Sequence, residues 1–153
     1  MLATGVLLAA AAPARADATL FIGATMTPDT HQARGVALGA GLLLVAFEGE
    51  YSNSPESPEA GAPGLRLFSG NGLIQTPVAI FGFQPYFTIG AGVYRETVST
   101  RTDTGFATNL GGGVKISLAG PVRLRVDYRV FKLGSDALYS PSHRFYAGLN
   151  LRF

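Results

Sequence analysis

The stretch that decides the fold is VRLRVDYRVFKL, residues 122–133. Apolar side chains occupy every second position, and mostly charged side chains occupy the positions between them. The apolar side comprises Val122, Leu124, Val126, Tyr128 and Val130, and the opposite side comprises Arg123, Arg125, Asp127, Arg129 and Phe131. Successive side chains of a strand point to opposite faces of a sheet. The stretch is therefore predicted to be a β-strand with one apolar and one charged face.

The overall composition is unusual for a domain surrounded by water. Charged residues make up 14% of the 153 residues, whereas about a quarter is usual for soluble domains. The chain has 20 glycines and no cysteine, which excludes disulfides and thiolate metal sites. A net charge of +2 is too small to indicate a nucleic-acid partner. This composition is typical of a barrel whose outer surface faces lipid.

Seven further segments alternate in the same way and are predicted to be strands. They are residues 18–27, 34–42, 44–53, 65–76, 85–98, 105–118 and 143–153. The alternation breaks at Leu73 and Ile74, where we expect a β-bulge. No convincing helical stretch follows residue 17.

The connections between the predicted strands alternate in character along the chain. Polar loops are expected at residues 28–33, 54–64, 99–104 and 134–142. Tight turns are expected near Leu43 and at 119–121, and an apolar turn at 77–84. Outer-membrane barrels have long outer loops and short periplasmic turns. We therefore predict an all-β fold, an eight-stranded antiparallel up-and-down transmembrane β-barrel over residues 17–153.

Glycine on the polar faces indicates which face points inward. Those faces carry Gly39, Gly41, Gly90, Gly92, Gly111, Gly113 and Gly148. The interior of an eight-stranded barrel is only just wide enough for side chains, so small residues make room for long ones. The charged residues are accordingly predicted to form a network in the lumen. Its members are Glu48, Glu50, Lys115, Arg123, Arg125, Asp127, Arg129, Arg144 and Arg152.

The two signs of charge in this set are expected to neutralise each other. Buried charges persist only when they are paired and hydrogen-bonded, so acids of the third strand should meet bases of strands six to eight. The apolar faces are then left for lipid, with aromatic residues at both interfaces. The outer girdle is predicted from Tyr51, Phe106, Tyr128 and Tyr139, and the periplasmic girdle from Phe81, Phe83, Phe87 and Phe153.

The first residues are predicted to be an export signal. The apolar run from Leu2 to Ala12 is too short to span a bilayer, which takes about 20 residues. Ala14-Arg15-Ala16 is an A-x-A cleavage site, so residues 1–16 are assigned to a signal peptide and the mature chain is expected to begin at Asp17. No Lys or Arg follows Met1, which is consistent with a segment truncated at its start.

The signal segment, the eight alternating strands and the terminal Phe153 together resemble the small outer-membrane barrels of the OmpA-like and opacity-type family. The resemblance covers essentially the whole mature chain. It implies a location in a Gram-negative-type outer membrane, contact with outer-membrane lipid and lipopolysaccharide, and a monomeric state. It also implies that Gly148, Leu151 and Phe153 form the C-terminal signal that the barrel-assembly machinery recognises.

Evidence for catalysis in the sequence is limited to two histidines, His31 and His143. His143 could act as a base with Ser140 or Ser142 as nucleophile, as in an acyl hydrolase acting on lipid A. The lipid A deacylases that share this architecture carry a His-x-Ser-Asn sequence, which SPSHRF at 140–145 does not match. The sequence therefore predicts a non-catalytic barrel without cofactor or metal, in an envelope-structural or surface-interaction role. An enzyme that modifies lipid A, a small pore and a soluble lipid-binding barrel stay open as alternatives.

Overall fold

The computed structural model describes residues 14–59, 61–135, 137–138 and 140–153. Eight antiparallel strands make up the fold, and each pairs with the next until β8 closes on β1. Their bounds are β1 Arg15–Thr25, β2 His31–Leu42, β3 Val45–Ser54, β4 Gly64–Gln75, β5 Phe83–Val98, β6 Arg101–Ala119, β7 Val122–Lys132 and β8 Ser142–Arg152. The predicted fold class is confirmed.

Two sequence predictions fall wholly or partly outside the described residues. Residues 1–13 of the predicted signal peptide lie outside them, as does Tyr139 of the predicted outer girdle. Strand β1 already includes Arg15 and Ala16. The described residues contain no helix that is long and apolar enough to cross a membrane.

The two faces of the closed sheet have opposite chemistry. Leu20 and Phe47 on the exterior are 67% and 69% exposed, whereas Arg125 and Arg129 in the interior are 0% exposed. The antiparallel register keeps each set on its own face, because side chains alternate with period two and directly opposite residues share a face. The barrel therefore has an apolar outer surface and a polar, charged interior.

The connections sort to the two ends of the barrel. One end, here the loop end, holds the connections at 26–30, 55–63 and 133–141 and the β5–β6 turn. The other end, here the turn end, holds the connections β2–β3, β4–β5 and β6–β7 together with Phe153. At the turn end the backbone N–H of Ala16 and the backbone C=O of Phe153 are hydrogen-bonded at 3.0 Å.

The predicted loop at 99–104 is wrong. Strand β5 continues to Val98 and β6 begins at Arg101, so only Ser99 and Thr100 separate them. Ser99 takes a left-handed backbone conformation with φ of 53°, and its N–H donates to Glu56 Oε1 at 2.9 Å. Ser, Thr and Asp favour turns, but here cross-strand pairing continues through them. The result is one long hairpin whose β6 arm continues beyond its pairing with β7, which begins at Thr108.

The bulge predicted at Leu73 and Ile74 is also wrong. The pairing of β3 with β4 runs regularly through both residues. Leu73 is 1% exposed and packs inside the barrel with Ala46 and Tyr86, whereas Ile74 faces outward. The alternation looks broken only because this interior position is apolar. The single irregular register occurs between Ser117 and Ala119, among the described pairs of β6 and β7.

The interior has apolar clusters on both sides of its charged middle. Toward the turn end lie Ala46, Leu73 and Tyr86. Toward the loop end the cluster contains Leu67, Tyr94, Ala107, Phe131 and Leu133. Among the charged side chains between these two clusters, Arg125, Asp127 and Arg129 are at most 1% exposed.

Candidate functional site

The centre of the interior is an ion pair between Arg125 on β7 and Glu48 on β3. Arg125 Nη2 donates to Glu48 Oε1 at 3.1 Å, and Arg125 Nη1 donates to the other carboxylate oxygen. Arg129 Nη2 reaches the same Oε1 at 3.1 Å. One carboxylate therefore holds two guanidinium groups, and the bidentate geometry with Arg125 is the strong form of such a pair.

Asp127 lies between these two arginines on the same face of β7. Its Oδ1 accepts from Arg129 Nε at 2.9 Å, and its Oδ2 accepts from Arg129 Nη2 at 3.1 Å and Arg125 Nη2 at 3.3 Å. The Tyr86 hydroxyl donates to Asp127 Oδ2 and accepts from Arg125 Nε at 2.8 Å. The i, i+2 spacing places Arg125, Asp127 and Arg129 on one face of the strand. Because their signs alternate, Asp127 attracts the arginine on either side.

Glu50, two residues after Glu48 on β3, joins the network to Arg144 on β8. Arg144 Nη2 donates to Glu50 Oε1, and Arg129 Nη1 lies 3.1 Å from Glu50 Oε2. The Arg144 guanidinium also sits 4.6 Å from the centre of the Phe131 ring and 5.2 Å from that of Tyr146. Aromatic faces attract cations at these distances, so the ring contacts add to the ion pair.

A second charged group lies toward the turn end and is organised by Asp17 on β1. Asp17 Oδ2 is 2.7 Å from Lys115 Nζ and 3.1 Å from Arg123 Nη2. Arg123 also donates to Asn150 Oδ1 and to Gln84 Oε1, each at 2.8 Å. Asp17 was missed in the sequence because it was assigned to the start of the mature chain. Its position in an alternating stretch is the signal that could have found it.

Most of the charges predicted for the lumen are buried. These are Glu48, Glu50, Lys115, Arg123, Arg125, Asp127, Arg129 and Arg144. Arg152 differs from the prediction, since it is exposed at the turn end. There it lines a cavity of about 110 Å³ together with Lys115 and Arg123. Strand alternation places Arg152 on the same face as the lumen residues, but the last residues of β8 lie at the mouth of the barrel, where this side chain is exposed.

Glycines on the interior face provide the space for these large side chains. A Cβ built on Gly113 would lie 2.8 Å from Tyr86 Cζ, and one built on Gly148 would lie 2.8 Å from Phe21 Cβ. The Phe21 ring in turn stacks on Tyr146, with 4.1 Å between ring centres. Interior glycine and interior aromatic residues are therefore complementary parts of one packed layer.

The residues of the proposed assembly signal lie on both faces of β8. Gly148 is buried in the interior, whereas Leu151 and Phe153 are exposed. The recognition of these residues by an assembly machinery stays a prediction.

The candidate catalytic residues are not brought together. His143 lies on the exterior, where its Nδ1 is 2.7 Å from the Tyr128 hydroxyl, while Ser142 is buried on the opposite face of β8. Ser140 Oγ accepts from the Leu133 N–H at 3.1 Å. His31 uses its Nδ1 in a 2.9 Å contact with the Asp29 backbone oxygen. In this geometry no serine hydroxyl of the described loop end is hydrogen-bonded to His143.

Comparison with known proteins supports the fold. No protein-family model and no curated protein sequence matches the chain. The N-terminal β-barrel domain of Pseudomonas aeruginosa OprF is similar over 91% of this chain and 97% of its own, with a TM-score of 0.72 and 14% identity. Neisserial surface protein A is similar over 92% and 96%, with a TM-score of 0.59 and 16% identity.

A third similar structure is the outer-membrane enzyme PagL. It matches 88% of this chain and 98% of its own, with a TM-score of 0.56 and 14% identity. At such identities the likeness concerns the fold alone. The fold is that of the small eight-stranded outer-membrane β-barrels, and the resemblance predicted from the sequence is confirmed at that level.

Proposed function

We propose that the protein is a non-catalytic, integral β-barrel of a Gram-negative-type outer membrane, with an envelope-structural or surface-interaction role. The observation that carries this proposal is the inverted distribution of side chains. Arginines and carboxylates fill the interior, while leucine, isoleucine, valine and phenylalanine cover the exterior. In water that exterior would be a continuous apolar surface far larger than soluble monomers expose. The outer surface of a membrane barrel, in contrast, has to be apolar because it contacts lipid.

The strand lengths fit a bilayer. Most strands have 10 to 12 residues, and a tilted transmembrane strand needs about 9–11. The loop end is assigned to the cell surface and the turn end to the periplasm, following the general asymmetry of such barrels. On this assignment the β5–β6 hairpin extends out of the membrane. Lipid and lipopolysaccharide surround the barrel, and the assembly machinery acts on β8 during insertion.

A structural role is favoured over a pore because the charged network crosses the lumen. Glu48 and Arg125 come from strands on opposite sides of the barrel and meet at 3.1 Å. Apolar clusters lie on either side of this pair. An ion would have to displace these side chains, and leaving one member of a buried pair uncompensated is costly.

An enzyme acting on lipid A is the second candidate. Two observations favour it: PagL, an outer-membrane enzyme, shares the fold, and His143 faces outward beside Tyr128. The buried position of Ser142 argues against a serine nucleophile at that histidine. A soluble lipid-binding barrel is disfavoured, because an apolar ligand would need the interior that the ion pairs occupy.

Electrophoresis of the folded protein tests the proposal. The protein should fold in mild detergent, give a β-sheet circular dichroism spectrum, and migrate differently before and after boiling. Protease added to the outside of intact cells should cleave the 55–63 loop. Mass spectrometry of lipid A from cells that overproduce the protein should show an unchanged acyl pattern. Recovery in the soluble periplasmic fraction would overturn the membrane assignment, and an altered acyl pattern would favour the enzyme.

A further inference from the structure

A row of basic side chains crosses the exterior of the barrel near the loop end. The register pairs Arg34 of β2 with Asn53 of β3, Asn53 with Arg66 of β4, Arg66 with Arg95 of β5, and Arg95 with Thr104 of β6. These five residues, here called the basic row, share one face of the sheet because directly paired residues do so. Neighbouring strands are about 4.8 Å apart. Three guanidinium groups are therefore held within a short arc of the surface.

The arginines of the basic row are exposed and form no ion pair with the residues that the structure describes. Arg34, Arg66 and Arg95 are exposed, and none of the ion pairs within the described part of the chain includes them. Arg66 and Arg95 face each other directly, an arrangement of like charges that destabilises a sheet. An external anion bound between them would remove that repulsion.

Two acids at the same end are already engaged elsewhere. Asp103 forms an ion pair with Arg101 at 2.9 Å. Glu56 Oε1 accepts a hydrogen bond from the Ser99 backbone N–H at 2.9 Å. Neither acid forms an ion pair with an arginine of the basic row, which contains no acid of its own and carries three positive charges.

The position of the basic row relative to the apolar surface indicates the source of the anion. Two residues along each strand, toward the turn end, a second row of paired residues consists entirely of apolar or aromatic side chains. It is formed by Val36, Tyr51, Phe68, Val93 and Phe106, all exposed. Aromatic side chains mark the interface of a membrane barrel, and two residues along a strand span about 6.6 Å. On each strand the residue of the basic row thus lies beside an apolar side chain, on the side of the loop end. Because the strands of a closed barrel are tilted by about 40°, the row runs obliquely across the surface.

We propose that the basic row binds the phosphate groups of lipopolysaccharide in the outer leaflet. The inference rests on the proposed outer-membrane location. Arginine presents a planar fork of donors that matches phosphate oxygens. Phosphates between Arg34, Arg66 and Arg95 would neutralise the row, and the amide of Asn53 and the hydroxyl of Thr104 add uncharged hydrogen-bonding groups. The acyl chains of the same molecule would then lie on the apolar row below.

Native mass spectrometry of the detergent-folded protein tests this inference. The protein is titrated with bisphosphorylated lipid A and with the same lipid after removal of both phosphates. The phosphorylated form should bind, and the dephosphorylated form should bind far more weakly. The triple variant R34Q/R66Q/R95Q should lose about 100-fold in affinity, because each basic side chain at an anionic membrane surface contributes around fivefold.

A matched pair of single variants provides the control. Both Arg95 and Arg101 lie on the β5–β6 hairpin, but Arg101 is already paired with Asp103. R95Q should weaken binding about fivefold, whereas R101Q should leave it unchanged. Equal effects of the two variants, or unchanged binding by the triple variant, would overturn the inference. Displacement of lipid A by equimolar inorganic phosphate would show a site for free phosphate and would also overturn it.

The migration assay separates this inference from the proposed function. If the wild-type chain folds and shows heat-modifiable migration but does not discriminate between the two lipids, the membrane barrel stands and the lipopolysaccharide site fails. If the chain does not fold in detergent, the proposed function fails and the inference fails with it.

Discussion

Arg125 and Glu48 come from diametrically opposite strands, β7 and β3, and meet in the middle of the barrel with Nη2 and Oε1 3.1 Å apart. Both side chains are almost wholly buried. The pair links the two halves of the closed sheet through its interior, in addition to the backbone ladder around its circumference. The stability of the barrel should therefore depend on the balance of charge at its centre.

Replacing Glu48 with glutamine tests this dependence. E48Q keeps the size of the side chain but leaves Arg125 and Arg129 without one of their carboxylates. We expect the free energy of unfolding to fall by about 3–5 kcal/mol, the usual cost of breaking a buried pair. Urea unfolding in lipid vesicles measures it.

The matched control for E48Q is D103N, which removes a carboxylate from the exposed pair with Arg101. Exposed pairs contribute at most about 1 kcal/mol. A loss in E48Q no larger than the loss in D103N would contradict a structural role for the central pair.

The contact between Glu50 and Arg144 predicts non-additive variants. Each single change, E50Q or R144Q, leaves a buried charge without this partner, whereas the double variant removes both. We expect the double variant to lose less stability than the two single variants lose together, by about 0.5–3 kcal/mol. Unfolding of all four proteins of the cycle gives this coupling energy. Additivity within about 0.5 kcal/mol would show that the two residues do not interact.

Two glycines on opposite faces should respond differently to the same substitution. G113A places a Cβ against the Tyr86 ring in the interior, so we expect a loss of about 1–3 kcal/mol from overpacking. G49A places a Cβ on the exterior with nothing within 4 Å, so its effect should be neutral or slightly favourable. The midpoints of urea unfolding of G113A and G49A are each compared with that of the wild-type protein. Similar losses in both variants would contradict the assignment of faces.

The side chain of Phe153 should matter for assembly in cells more than for stability in vitro. Its backbone pairs with Ala16, and F153S leaves those hydrogen bonds in place. If Phe153 is part of the assembly signal, F153S should lower the amount of folded protein in the outer membrane several-fold while refolding in detergent stays normal. F81S changes another highly exposed phenylalanine at the turn end and should have little effect. Equal membrane levels of F153S and wild type would contradict this role.

Of the nine charged residues that the alternation of side chains assigns to the lumen, eight are buried. Arg123, Arg125, Asp127 and Arg129 follow from the period of one strand, since neighbouring residues of a strand cannot share a face. The partners could not be predicted in the same way. Which acid meets which base depends on the stagger of the strands around the barrel, and no local pattern encodes that stagger.

Three errors of the sequence prediction share one cause, the use of local sequence alone. A bulge at Leu73 and a loop at 99–104 are predicted from the chemical type of their residues, and Asp17 is assigned to the start of the mature chain from the cleavage motif before it. The register places Leu73 inside, continues the β5–β6 pairing to Val98 and Arg101, and directs Asp17 toward Lys115. Cross-strand pairing overrides local propensity in a closed sheet.

The central claim is that lipid contacts the outward leucines and that the interior excludes it. Methyl-labelled protein in nanodiscs, measured by NMR with a spin label attached to the lipid acyl chains, tests this without any substitution. The methyl signals of Leu20, Leu38 and Leu149, all exposed on the exterior, should broaden strongly. Those of Leu67 and Leu73, both buried in the lumen, should stay sharp. Broadening of the Leu67 and Leu73 signals while those of the outward leucines stay sharp would contradict the account.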